Sequence, residues 1–212
     1  IITLVMLFAC LGVFAQKGVA RKVTELVSQN ADFKSVSVLS VSQGIENSQT
    51  RTVVEKATYA KLDFQALTNL MTAKNEYIEL AVPYLGETIA VQLFKVNPFS
   101  EGFHVDTDKA INISYEQGLY YRGIIKGDLN SVASFNFFKG ECNGIISGKN
   151  VNNLTVAKLD KPGNQSDYII FSDSDLKIAN TAGCYTKDVK TAQREKTNRS
   201  AAGGLAKCVT MY

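Results

Sequence analysis

Seven short runs of alternating apolar and polar residues between residues 77 and 172 constrain the fold more than any other feature. Such alternation is the pattern of a strand that buries one face. Turn residues such as Gly127, Gly140 and Gly163 separate the runs. The runs are 77–82, 88–96, 119–126, 132–138, 143–147, 154–159 and 168–172. We therefore predict a mainly β (α+β) fold, an antiparallel β-sandwich or meander with one or two short flanking helices.

A helix is predicted beside these strands. Asp63 is a favourable helix N-cap, and Phe64, Leu67 and Leu70 follow it with the spacing of one helical face. The β-rich domain is therefore taken as residues 58–178. Residues 16–57 mix helical and strand-like spacing and are treated as an N-terminal extension of that domain.

The first 15 residues contain a single polar side chain, Thr3, and are typical of a secretory signal peptide truncated at its start. The small residue Ala15 marks the expected cleavage site. The run is shorter than the roughly 20 residues of a membrane-spanning helix, so no membrane association is expected after signal removal. A lipoprotein anchor at Cys10 and a buried helix are the alternatives.

Composition excludes several function classes. Lys and Arg total 23 against 20 Asp and Glu, a balance too even for a strongly basic nucleic-acid binder. His104 is the single histidine, so a His-rich zinc site or a Ser-His-Asp triad would have to be built around it. We interpret His104 as a surface loop residue, and we expect no catalytic residues within this chain.

The composition changes after residue 178. Residues 179–204 are polar, rich in small residues and locally basic, which is typical of a flexible linker open to proteolysis. Arg194, Lys196 and Arg199 are the expected activation cleavage residues. Residues 205–212 resemble the first strand of a further, truncated domain.

The segment from residue 118 to residue 147 resembles the prodomains of reprolysin-like (adamalysin-type, metzincin) zinc metalloproteases, most closely the bacterial ones. The resemblance extends from about residue 58 to residue 178 and includes the Asp63–Phe64 helix and the segment 97–103. A Tyr-x-Gly strand, a Ser-x-Ala-Ser strand and a Gly-hydrophobic-hydrophobic strand follow one another in both. The matching residues are Tyr121, Gly123, Ser131, Ala133, Ser134, Gly140, Gly144 and Ile145. The animal prodomains usually carry a disulfide here, but Leu119 or Tyr120 and Phe137 or Phe138 occupy its positions in this chain, so that disulfide is not expected.

The resemblance implies a secreted bacterial zymogen. Residues 16–178 would be its prodomain, residues 179–204 its activation linker, and residues 205–212 the start of the protease domain. Zinc is the implied cofactor, held by that missing domain through a His-Glu-x-x-His-x-x-Gly-x-x-His helix and not by this chain. The implied partners are the chain's own downstream metalloprotease domain and a processing protease.

Cys184 is a possible zinc-capping residue, because a thiolate delivered by a propeptide can occupy the coordination position of the catalytic water. The family motif places Gly after this cysteine, whereas Tyr185 follows it here. A disulfide of Cys184 with Cys142, or with a cysteine further along, is the alternative.

A second function from a different class stays open: an exported β-sandwich that binds protein or glycan without catalysis. Its binding residues would come from a set of aromatic side chains, although strand aromatics more often pack in a core. The set comprises Tyr115, Tyr120, Tyr121, Phe135, Phe137 and Phe138. The acidic segments 106–108 and 172–175 resemble calcium loops but lack the Gly and terminal Glu, so we interpret them as solvated turns.

Overall fold

Ten strands form one curled sheet in the computed structural model, which describes residues 18–46 and 48–177. Across the sheet their order is β1-β4-β5-β6-β7-β8-β9-β10-β3-β2, and every pair is antiparallel except β1 with β4. The strands are β1 (Lys34–Val36), β2 (Leu39–Val41), β3 (Thr58–Leu62), β4 (Tyr77–Tyr84), β5 (Glu87–Val96), β6 (Leu119–Ile125), β7 (Val132–Phe138), β8 (Glu141–Gly148), β9 (Asn152–Lys158) and β10 (Asp167–Ser172). The predicted mainly β fold is confirmed, with a parallel pair as the departure from a purely antiparallel sheet.

Each run predicted from alternation is a strand. In β7, Ala133, Phe135 and Phe137 are buried while the residues between them are partly exposed, as a period of two requires. The same alternation orients β4, β5 and β6 toward one shared core.

Both edge strands come from the region expected to be an N-terminal extension. Only Ser37 and Val38 separate β1 from β2, although these strands lie at opposite edges of the sheet. The sheet curls enough for β2 to contact β4, the neighbour of β1. Residues 34–41 are therefore an integral part of the sheet.

The described residues contain three α-helices, one more than expected: α1 (Gly18–Ser28), α2 (Ser48–Val53) and α3 (Phe64–Ala73). Helix α3 begins after the predicted N-cap, because the Asp63 carboxylate accepts hydrogen bonds of 2.9 Å from the backbone N–H groups of Gln65 and Ala66. Its buried Leu67 and Leu70 join the core between the curled halves of the sheet. Helix α1 packs on the outer face, where Val23 contacts Ile124 of β6.

The residues that carry the family resemblance lie in the β6–β7–β8 hairpins. A Cβ atom at Gly123 would lie 1.8 Å from the carbonyl oxygen of Gln92, so no side chain fits between β5 and β6 there. A Cβ atom at Gly144 would lie 2.3 Å from the ring of Phe135, its cross-strand partner. Both glycines are therefore required by close approach rather than by a turn.

Two further residues of this set satisfy buried polar groups. The Tyr121 hydroxyl donates a 2.6 Å hydrogen bond to the carbonyl oxygen of Asn75. The Ser131 hydroxyl donates to the carbonyl oxygen of Asp128 and accepts from the N–H of Ile125, which closes the β6–β7 turn. These hydrogen bonds help to hold the hairpins in place.

Candidate functional site

The residues predicted to carry processing and zinc capping lie outside the described part of the chain. They are Ala15, Cys184, Arg194, Lys196 and Arg199. Their roles stay predictions.

Cys142 is a core residue with a free thiol. Its backbone N–H donates a 2.9 Å hydrogen bond to the hydroxyl oxygen of Tyr168, and burial raises the pKa of its thiol to about 12. A thiol with so high a pKa is a poor nucleophile and a poor metal ligand at neutral pH. The alternative pairing of Cys142 with Cys184 stays a prediction.

His104 is an exposed loop residue. Its Nδ1 atom lies 3.0 Å from the carbonyl oxygen of Gly102, and its Nε2 atom lies 3.2 Å from a carboxylate oxygen of Asp106. The Gly102 carbonyl, followed by the Asp106 charge, raises the pKa of the imidazole. Within residues 18–46 and 48–177, no three His, Cys, Asp or Glu side chains are grouped to hold a metal ion.

The acidic segment after β10 forms a 3-10 turn. Asp173 accepts hydrogen bonds from the backbone N–H and the side-chain amide of Asn153, at 3.2 Å and 2.7 Å. These bonds lower the pKa of Asp173. The carboxylate therefore fastens the turn to β9.

The aromatic residues singled out in the sequence divide into two groups. Tyr121, Phe135 and Phe137 are buried in the core. Tyr120 and Phe138 lie on the other face of their strands, where their rings contact each other. Tyr115, in the loop before β6, is linked to Tyr120 through the ring of Phe99. Strand alternation separates Tyr120 and Phe138 from the buried Tyr121 and Phe137.

Phe99 and Phe103, which the sequence did not indicate as binding aromatics, complete the second group. We call Phe99, Phe103, Tyr115, Tyr120 and Phe138 the aromatic surface. The ring of Phe99 stacks on that of Phe103 with a centroid distance of 4.3 Å, and it meets Tyr120 edge-on at 5.4 Å. Tyr120 meets Phe138 edge-on at 5.9 Å. Phe103 is 46% exposed and Tyr115 is 36% exposed.

The aromatic surface belongs to the long connection between β5 and β6, residues 97–118, which contains no helix or strand. Connections of this length in a folded domain are often functional. Within it, the backbone N–H of Ile113 donates a 2.8 Å hydrogen bond to the carbonyl oxygen of Val105, and that of Thr107 donates one of 2.8 Å to the carbonyl oxygen of Ala110. These bonds fold residues 105–113 back on themselves. Ile111 lies in this segment and is 81% exposed.

The aromatic surface continues into a groove against α3. Two cavities, of about 290 Å³ and about 470 Å³, share the lining residues Met71, Lys74 and Gln117. The smaller cavity reaches Phe99 and Tyr120, and the larger one extends to Lys139. Aromatic rings beside a concave, partly polar groove are suited to binding a ligand.

Comparisons with protein-family models, with curated proteins and with solved structures found no match for this chain. The described helices α1, α2 and α3 are all too short to cross a membrane. The candidate site therefore rests on the geometry of the aromatic surface and its groove.

Proposed function

We propose that the chain is the N-terminal propeptide part of a secreted zinc metalloendopeptidase precursor, which keeps the protease latent and assists its folding until it is cleaved. This proposal rests on the structural role of the residues that carry the family resemblance. Gly123, Gly144 and Ser131 occupy positions where the β6–β7–β8 hairpins accept few alternatives. A resemblance at such positions supports a shared hairpin architecture.

The contacts of Lys177, after which the expected linker begins, support removal of the propeptide by cleavage in that linker. The backbone N–H of Lys177 donates a 2.8 Å hydrogen bond to the carbonyl oxygen of Val53, and its ammonium group donates one of 2.8 Å to the backbone carbonyl oxygen of Arg51. Arg194, the first expected cleavage residue, follows about 17 residues later. Cleavage there would leave the sheet and its core intact.

The short segment between Lys177 and Cys184 also limits how far from the sheet a catalytic cleft could contact Cys184. Cys184 follows Lys177 by about seven residues, which span at most about 25 Å when extended. A cleft capped by this thiolate would therefore have to lie within that distance of Lys177. The zinc itself would be held by the protease domain and would activate its water there.

The test uses the full precursor with Cys184 intact, with Cys184→Ala, and with Cys208→Ala as the matched control. We expect zinc-dependent proteolysis only after linker cleavage for the intact precursor and the control, and proteolysis without cleavage for Cys184→Ala. Latency in all three would reject the cysteine cap while retaining the propeptide. A precursor that is fully active uncut would overturn the proposal.

The exposed aromatic surface favours one second candidate, an exported binding module for protein or glycan. In that case Phe103→Ala would abolish binding to the target while the protein stays folded. Leu129→Ala, at an exposed site in the β6–β7 turn, is the control. A downstream reading frame without a zinc-binding helix motif would favour this candidate over the propeptide.

A further inference from the structure

The groove beside the aromatic surface has the dimensions of a peptide-binding site. We call its two cavities together the α3 groove. Their volumes of about 290 Å³ and about 470 Å³ lie in or near the range of ligand sites. The lining residues of α3 run from Leu67 to Lys74, about 11 Å along the helix axis, and the smaller cavity continues to Asn97. A peptide segment of about four residues in extended conformation fits this length.

Hydrogen bonds hold the walls of the α3 groove in place. At the end of α3, the backbone N–H of Lys74 donates a 2.9 Å hydrogen bond to the carbonyl oxygen of Leu70. The ammonium group of Lys95 in β5 donates one of 3.3 Å to the carbonyl oxygen of Lys74. On the opposite wall, the side-chain amide of Gln117 donates one of 3.1 Å to the hydroxyl oxygen of Tyr115. A groove with fixed walls loses little conformational entropy when a ligand binds.

The apolar part of the α3 groove suits an apolar side chain. Met71 is half-buried and lines both cavities. The ring of Phe99 already contacts three other rings, those of Phe103, Tyr115 and Tyr120. Met71 is therefore the apolar surface common to both cavities. A methionine side chain adapts its shape to different apolar partners, which favours the side chain of a peptide over the flat ring of a sugar.

Two ammonium groups on the α3 groove have no acidic partner. Lys74 and Lys139 both line the larger cavity and are exposed. Neither forms an ion pair with another residue in the described part of the chain. Lys95, in the smaller cavity, is instead paired with Glu76. Glu116 is the carboxylate among the described residues that line the larger cavity, so the groove keeps an excess of one positive charge there. It complements a ligand that carries a carboxylate.

We propose that the α3 groove binds an acidic peptide segment of a partner protein, in which a large apolar side chain stands next to a carboxylate. The apolar side chain contacts Met71, and the carboxylate lies between Lys74 and Lys139. Glu116 repels a second carboxylate, so one acidic residue beside the apolar one is preferred over a run of acidic residues. This inference gives a ligand class to the binding module considered above and rests on that candidate, and it does not depend on the proposed protease.

Titration of the full chain with a synthetic peptide tests the inference, with backbone amide signals followed by NMR. The probe is acetyl-Ala-Glu-Phe-Leu-Ala-amide, and the same peptide with Lys in place of Glu is its charge control. We expect the acidic peptide to cause saturable shifts at Thr72, Gln117 and Gly140, and the Lys peptide to bind about fivefold more weakly or not at all. Salt at 0.5 M should weaken binding of the acidic peptide, because it screens exposed charges.

Matched lysine variants separate the groove from a general charge effect. K74Q/K139Q is expected to raise the dissociation constant of the acidic peptide about fivefold. K109Q/K149Q removes two exposed lysines that do not line the groove and should leave that constant unchanged. E116Q should lower it, because the carboxylate that repels the ligand is gone.

A pair of variants on α3 tests the position of the ligand. T72E places a carboxylate on the groove and should weaken binding of the acidic peptide, whereas N69E places one on an exposed site of the same helix outside the groove and should not. Equal binding of the acidic and the Lys peptide, or no saturable shift with the acidic peptide, would overturn the proposal. Shifts at the groove with maltohexaose alone would overturn the peptide ligand and retain the binding module. Binding of neither peptide nor maltohexaose would count against the binding module as well.

Discussion

Gly123 lies so close to Gln92 on the neighbouring strand that a Cβ atom at Gly123 would stand 1.8 Å from the Gln92 carbonyl oxygen. Gly123→Ala must therefore separate β5 from β6, in the middle of the sheet. We expect a loss of about 3 kcal/mol or more in the free energy of unfolding, or no folded protein at all. Urea unfolding followed by circular dichroism measures it.

Gly18→Ala is the control for this substitution, because nothing lies within 4 Å of a Cβ atom at Gly18. Its unfolding midpoint should stay close to that of the unmodified chain. Equal stability of the Gly123 and Gly18 variants would show that β5 and β6 are not packed as described.

The N-cap of α3 gives a second prediction. Asp63→Ala removes the acceptor of two backbone N–H groups and should cost about 1 kcal/mol of stability. Asp63→Asn keeps an acceptor at the same place and should cost much less. Similar losses for Ala and Asn would mean that the charge of Asp63, rather than its capping geometry, is what stabilises the helix.

The buried thiol gives a prediction about reactivity. In a variant with Cys10, Cys184 and Cys208 replaced by Ser, Cys142 should stay unmodified by a thiol reagent at pH 8, because burial raises its pKa to about 12 and blocks access. In urea it should react fully. Rapid reaction in the folded protein would place Cys142 outside the core.

The His104 ring gives a pH prediction with an unambiguous signal, since the chain has one histidine. Its pKa, followed by NMR, should lie above the ordinary value of about 6.5. Asp106→Asn should lower the pKa but leave it raised, because the Gly102 carbonyl has the larger effect. The small stabilisation linked to this proton is present below the unfolded pKa and is lost as the pH rises through the folded pKa. A pKa at or below 6.5 would contradict the contacts of His104.

Local signals predicted the parts of the fold that depend on local physics. The alternation through Ala133, Phe135 and Phe137 predicted β7, and the side chain of Asp63 predicted the start of α3. The parallel pairing of β1 with β4 was not predictable, because strands of three residues carry little pattern and their partner lies about 40 residues away.

The aromatic surface likewise depends on contacts between distant residues, which local sequence patterns do not show. Alternation does not apply to residues 97–118, so no local pattern indicated that Phe99 and Phe103 belong to an aromatic surface. Their importance follows from folding, which places them beside Tyr120 and brings Phe138 from the end of β7 into the group. The chain's long-range pairing, not its local pattern, creates this surface.

Inhibition in trans tests the propeptide proposal most directly. The purified chain is added to the separately produced protease domain of its precursor, and peptide hydrolysis is followed as the chain concentration increases. The account predicts dose-dependent inhibition by the intact chain and none by the Gly123→Ala variant, whose sheet is disrupted. A folded, intact chain that leaves both the activity and the refolding yield of the protease unchanged would contradict it.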